Sequence, residues 1–196
     1  MSSTFDLAYS FTQKWEGGSK FTMDSNDPGG ATKFGISFRF IRNLGIYDSD
    51  INKDGVITWQ DVYSLTEEKA KALFKKYFWD SSYLQFFPNT LAVVMFDTSV
   101  NIGRSRTIKF LQKTLGPKLV QDGIIGPVTL QAVHDATKGV MCFRTSLLTS
   151  VILDQRDLYY NNLNNVTNWA KEYYEGWLNR TEDLRNFIKD MEDCDE

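Results

Sequence analysis

The chain has two cysteines and one histidine in 196 residues, and that scarcity closes several routes. Cys142 sits inside a helical pattern and Cys194 in the polar C-terminal stretch, a poor basis for a disulfide framework, so both read as free thiols. His134 has no His or Cys partner at ligand spacing, which leaves no ligand set for zinc. No apolar run approaches the roughly 20 residues that a membrane-spanning helix needs, so no stable membrane insertion is expected. The opening Met1-Ser2-Ser3-Thr4-Phe5-Asp6 has neither the basic region nor the apolar stretch of a secretory signal peptide, so synthesis in the cytoplasm and exit by other machinery are expected. Charge of one sign is lacking too. The 22 basic and 25 acidic side chains are well mixed and leave a net charge of -3, so no basic field exists to attract a nucleic-acid backbone.

What is present is a globular composition, 42% hydrophobic and 24% charged, long enough for one full core or for one lobe with a smaller second one. Aromatic residues reach 14% and suit both core filling and the walls of a sugar-stacking cleft.

Periodicity predicts a mainly α protein. Phe5, Leu7, Ala8, Phe11 and Trp15 recur at mostly helical spacing behind a Ser/Thr cluster that can cap the first turn, and Gly17-Gly18 stops the pattern. Between Lys20 and Ile36 the residues Asp24, Asn26, Asp27, Pro28, Gly29, Gly30 and Gly35 predict turns or a short hairpin, the one strand-compatible region. A second helical pattern covers Phe38 to Leu44. An acidic loop follows from Asp48 to Asp61, then a helix that starts near Thr66-Glu67-Glu68, its acids suited to the helix dipole. Beyond Pro88 helices are expected over Leu91 to Val100, Ser105 to Leu115, Pro127 to Thr137, Met141 to Leu163 and Asn168 to Met191. A boundary near Phe87-Pro88 would separate a first lobe, 1–87, from a helical lobe, 88–196.

The chemistry concentrates around Glu16. Cleaving a glycosidic bond needs a protonated carboxylic acid for the departing oxygen, and a second polar or anionic group to hold water or steady an oxocarbenium-like state. A glutamate at a helix C-terminus lies near the negative end of the dipole, which together with burial beside Trp15 would favour its protonated form. Asp27 and Thr32 lie on the turn-rich segment that follows and are candidates to face Glu16 across a cleft. Asp and Thr side chains also stabilise turns by bonding their own backbone.

Glu16-Gly17-Gly18, followed by Asn26-Asp27-Pro28-Gly29-Gly30-Ala31-Thr32-Lys33-Phe34-Gly35-Ile36, resembles the N-terminal signature of glycoside hydrolase family 108. The resemblance implies a lysozyme-like helical fold with a small hairpin-rich segment after the first helix, and a peptidoglycan muramidase of the phage endolysin type. It implies Glu16 as the catalytic acid, assisted by Asp24 or Asp27 with Thr32. Ser19 departs from the aromatic residue that the family often carries after Glu-Gly-Gly. Ala92 to Asp97, Val100 to Gly103, Phe110 to Gln112, Asp122 to Leu130 and Gly176-Trp177 with Arg180 resemble the peptidoglycan-binding region joined to that hydrolase. Physically, Asp122-Gly123 and Gly126-Pro127 also make a tight turn and a proline start for the next helix. Asp97 and Asn101, one helical turn apart, suit either a cleft or an interhelical bond.

Asp50 to Asp61 resembles an EF-hand loop. Oxygen donors fall at Asp50, Asn52, Asp54, Thr58 and Asp61, with the Val56 carbonyl between them, glycine at the sixth position and an aliphatic residue at the eighth. Starting at Asp48 puts Lys53 where glycine is needed, so that register fails. The last ligand is Asp rather than Glu, as in dockerin-like loops. A structural or regulatory, non-catalytic Ca2+ of moderate affinity is expected in this insert, 48–61.

The function expected is hydrolysis of the bond between N-acetylmuramic acid and N-acetylglucosamine by a monomer acting on peptidoglycan glycan strands, for host-cell lysis. The enzyme would wait in the host cytoplasm until holin-type release admits it to the periplasm and cell wall. The rivals are a lytic transglycosylase, which also needs one Glu, and a non-catalytic, calcium-dependent wall-binding protein.

Overall fold

Ser3 starts the first helix through a reciprocal cap. Its hydroxyl accepts from Asp6 N at 3.2 Å while the Asp6 carboxylate accepts from Ser3 N at 3.1 Å, which satisfies N–H groups that have no partner inside the helix. The structure, a computed structural model, describes residues 2–23, 30–138 and 141–191, the last segment without the side chains of 141–143. Cys142 and Cys194, expected as free thiols, therefore lie outside the described side chains.

The chain divides into two compact units, Tyr9–Tyr77 and a larger one of Met1–Ala8 with Phe78–Glu196. Helix α1, Thr4–Trp15, runs through the first junction. The division differs from the expected break at Phe87-Pro88, for a packing reason. In the larger unit Phe5, Trp79 and Phe96 stack edge to face, with ring centroids 5.4–5.9 Å apart, so both flanks of the smaller unit are drawn into the helical core.

The smaller unit holds the described strands. β1 (Thr32–Lys33) and β2 (Ile36–Ser37) pair antiparallel, Thr32 opposite Ser37 and Lys33 opposite Ile36. Thr22 adds a bridge to Thr32 with N–O distances of 2.8 and 2.9 Å. Helix α2 (Phe38–Ile41) starts on the Ser37 cap and is shorter than the expected Phe38 to Leu44. A short helix, α3 (Ile46–Ser49), follows Gly45, so Asp48, expected at the start of an acidic loop, is helical instead. Its carboxylate accepts from Lys76 and from Tyr77, the latter at 2.7 Å. Those two bonds, Lys76 first, hold the Asp48 carboxyl below its ordinary range. Helix α4 (Trp59–Tyr63) and α5 (Glu67–Phe74) close the unit over Ile36, Ile41, Val62, Leu65 and Leu73, all buried.

The larger unit is helical, with α6 (Asn89–Ile102), α7 (Arg104–Leu115), α8 (Pro127–Thr137), α9 (Met141–Val166) and α10 (Ala170–Lys189). Leu91 through Ser99 of α6 are all buried, and a helix buried on every side must be the core around which others pack. Helices α7, α9 and α10 all pack on it. No helix among the described residues is long and apolar enough to cross a membrane.

Candidate active site

Glu16 follows the last residue of α1, and its N–H still bonds the Thr12 carbonyl at 3.1 Å. Gly17 and Gly18 then take φ of +81° and +60°, a left-handed turn that L side chains resist and glycine does not. That turn ends the helix and leaves Glu16 half-buried. The hairpin is fastened at the same place. Phe34 N donates to the Gly18 carbonyl at 2.9 Å, and Gln13 Nε2, one turn back on α1, donates to the Phe34 carbonyl at 3.1 Å. Between these ties Gly35, at φ +74°, lies directly against the Glu16 side chain. A β-carbon there would stand 2.8 Å from Cβ of Glu16 and 3.1 Å from Cγ.

Thr32 is half-buried on β1 of that hairpin. Its backbone is committed to Thr22 and Ser37, and its hydroxyl makes a long 3.4 Å bond to the Gly30 carbonyl within its own turn. Asp24 and Asp27 lie outside the described residues. The geometry thus joins Glu16 to the hairpin that carries Thr32 through Gln13, Phe34 and Gly35. Gln13 and Phe34 carried no sequence signal for this role, because the bond uses a backbone carbonyl 21 residues away.

Lys33, next to Thr32, points its ammonium at the end of α4 and donates to the Tyr63 and Leu65 carbonyls at 2.7 and 2.8 Å. A cation there suits the negative end of the helix. Beside it lies an aromatic group that no motif in the sequence marks. Phe21 stacks edge to face on Tyr63 at 5.3 Å and lies 6.3 Å from the Trp59 ring. Trp59 and Tyr63 remain 43% and 60% exposed, which makes them available to a ligand with flat apolar faces such as a sugar ring.

Trp59 belongs to the Asp50–Asp61 loop. Asp50 accepts from Asp54 N and Gly55 N at 3.0 Å each, and Asp54 accepts from Val56 N at 2.8 Å. Asp61, fully buried, accepts from Ile51 N at 2.8 Å with one oxygen and from Thr58 N at 2.7 Å with the other, which closes a capping box with Thr58. The oxygen-only donor set has the chemistry of a hard-cation site. In this structure its carboxylates serve the loop's own backbone, and among the described residues no three His, Cys, Asp or Glu side chains gather as a ready metal group.

Asp97 is not a cleft residue. Fully buried, it accepts from Arg156 and Arg180 at 2.7 Å each, and Tyr160 links Arg156 to Asn101. Of the two options the sequence left open for Asp97 and Asn101, the interhelical bond is the one formed. Gln112 likewise holds the Asp122-Gly123 turn, donating to Asp122 at 2.7 Å and accepting from Gly123 N at 3.0 Å.

A glutamate wedged between a glycine helix stop and a glycine hairpin, in a chain that continues as a helical core, has the form of a sugar-polymer hydrolase. Residues 9–103 match the family described as Glycosyl hydrolase 108, and residues 106–182 match the Predicted Peptidoglycan domain. The structure of Brucella abortus SagA is similar over 93% of this chain and 92% of that one, with a TM-score of 0.69 and 26% sequence identity. No curated protein matches the chain. The two matches together support a glycoside hydrolase whose partner is peptidoglycan.

Proposed function

We propose that the chain is an N-acetylmuramidase that hydrolyses the β-1,4 bond between N-acetylmuramic acid and N-acetylglucosamine, with Glu16 as proton donor. The observation that carries this reading is the seat of Glu16, half-buried against Gly35 on a hairpin tied to its own helix. A carboxylic acid held in one orientation can deliver its proton to a leaving oxygen without first being ordered. Thr32, with Asp24 or Asp27, holds the attacking water or steadies the developing positive charge. The exposed Trp59 and Tyr63 offer apolar faces to the glycan beside this hairpin.

The test is digestion of purified peptidoglycan followed by mass spectrometry of the fragments. A muramidase leaves N-acetylmuramic acid at new reducing ends and adds one water per cut. Anhydro products in its place would reveal a lytic transglycosylase. Glu16→Gln is expected to abolish clearing of a peptidoglycan suspension; full clearing by that variant would take Glu16 out of the reaction, and a parent chain that binds the wall without clearing it would convert the reading to a non-catalytic wall-binding protein.

The proposal extends to Ca2+ held by Asp50, Asn52, Asp54, the Val56 carbonyl, Thr58 and Asp61. What supports it is the loop's backbone, whose N–H groups already converge on Asp50 and Asp61. When bound, the ion supplies a positive charge that fixes the loop and takes no part in bond cleavage. The proposed setting is a monomer serving host-cell lysis, kept in the host cytoplasm until a holin-type pore admits it to the wall. Co-expression with and without a holin, scored by culture lysis, checks that role.

A further inference from the structure

Helices α7 and α9 of the larger unit enclose a groove whose two walls differ in charge. Arg106, Lys109 and Lys113 of α7 stand at spacings of three and four residues, so they share one helix face, and all three are exposed and line a cavity of about 350 Å³. The opposite wall is one face of α9, with Gln155, Tyr159 and Asn162 at the same spacings. The Arg106 guanidinium lies 4.2 Å from the Tyr159 ring centroid and donates to the Ile102 carbonyl at 2.8 Å, which fixes one cation in place. No carboxylate is among the described residues lining the cavity. The two acids of α9 nearest Gln155, Asp154 and Asp157, are taken by Arg185 of α10 at 2.8 and 2.9 Å. Within the cavity the three cations face neutral amides and a phenol, and the nearby carboxylate that feels Lys109 is Asp122, outside the lining and held by Gln112. A second cavity, of about 460 Å³, continues past Arg106 and Lys109 to Arg104.

Gln155 adds a further mark. Its Nε2 is committed to the Phe110 carbonyl and the Thr114 hydroxyl at 3.2 and 2.8 Å, while its buried Oε1 has no hydrogen-bond partner. An unmatched acceptor is costly in a buried place, and this one lies beneath the groove floor.

We propose that this groove binds the acidic stem peptide of peptidoglycan. The ligand its chemistry selects carries carboxylates for the three cations and amide groups for the exposed Asn162 side chain, and within peptidoglycan the peptide, not the neutral sugar chain, has both. The inference rests on the peptidoglycan-hydrolase reading and assigns the second half of the molecule its own part of the substrate. Peptide capture by α7 and α9 would hold the enzyme on peptide-bearing wall while the other unit cuts glycan.

Isothermal titration of the full chain compares three probes: a disaccharide-tetrapeptide, chitotetraose as a glycan without peptide, and inorganic phosphate as a bare anion. The disaccharide-tetrapeptide is expected to bind, more weakly as salt rises, and the Lys109→Gln/Lys113→Gln variant to lose about tenfold or more in affinity. Lys109→Arg/Lys113→Arg is expected to restore binding, and circular dichroism of each variant reports whether its fold is intact. Equal binding of chitotetraose and the peptide probe would overturn the proposal. So would full affinity in the glutamine variant, or stronger binding of phosphate than of the peptide, which would point to a phosphate-bearing wall polymer. A chain that cuts glycan but ignores the peptide sinks this inference alone, whereas one that binds peptide but leaves glycan intact sinks the muramidase reading alone.

Discussion

Gly35 stands against Glu16 with no room for a side chain, since a β-carbon would lie 2.8 Å from Cβ of Glu16 and 3.3 Å from Oε2. Its φ of +74° adds about 1–2 kcal/mol of strain for any L side chain. In Gly35→Ala the hairpin must lift or the carboxyl must turn, and misplacing a catalytic group by 1 Å costs up to about a hundredfold in rate. The expected result is a ten- to hundredfold fall in kcat by about the same principle, with a lower melting temperature. Clearing of peptidoglycan suspensions and calorimetry check the two. Unchanged kcat would mean that Glu16 does not depend on this contact.

Lys33 fastens the same hairpin from the other side. Lys33→Met keeps the aliphatic stem but removes both bonds to the end of α4, each worth about 1 kcal/mol. A loss of about 1–2 kcal/mol in urea unfolding is expected, together with weaker glycan binding because Tyr63 and Trp59 lose their anchor. A variant as stable as the parent would assign those bonds no net effect.

These two contacts show where local sequence sufficed and where it did not. The helix-end position of Glu16 was legible because a helix period and a glycine stop are local signals, and the Ser/Thr cap of α1 and the proline start of α8 were legible for the same reason. Asp48 was misplaced because its partners Lys76 and Tyr77 lie 28 and 29 positions away, and no periodicity reports such a pairing. The compact units divide elsewhere than at Phe87-Pro88 on similar grounds, since the ring contacts of Phe5, Trp79 and Phe96 form only after the fold closes. The buried ion group crosses the family boundaries too. Asp97 lies in the hydrolase match and Arg156 and Arg180 in the peptidoglycan match, yet all three share one core.

That group makes the larger unit sensitive to acid. Burial works to raise the Asp97 pKa, but Arg180 and Arg156 outweigh it and hold the carboxyl below its ordinary value. A depressed native pKa stabilises the fold above the unfolded value of about 3.9, and the contribution fades as pH falls below that through the native value. Urea unfolding followed from pH 6 down to about pH 2 is expected to show stability lost mainly below about pH 4. Asp97→Asn removes the buried carboxylate that Arg156 and Arg180 share and is expected to cost about 3–5 kcal/mol at neutral pH, flattening that acid limb. An unaltered acid limb in the variant would show that another group controls it.

Calcium, if held by the Asp50–Asp61 loop, acts on a segment that contains Trp59, so one titration can read both stability and the aromatic surface. A ligand that binds only the folded chain stabilises it by about 2.7 kcal/mol at one hundred times its Kd, and calcium at that level is expected to raise the melting temperature accordingly. Magnesium, smaller and slower to shed its water, is expected to do less. Asp50→Asn should remove the calcium effect because Asp50 both accepts from Asp54 N and Gly55 N and contributes a ligand charge. The accompanying change in tryptophan fluorescence should vanish in Trp59→Phe while the thermal shift persists, since the indole is no ligand. A melting temperature indifferent to calcium, with fluorescence equally unmoved, would leave Asp61 as a helix cap and the loop as a turn held by its own backbone.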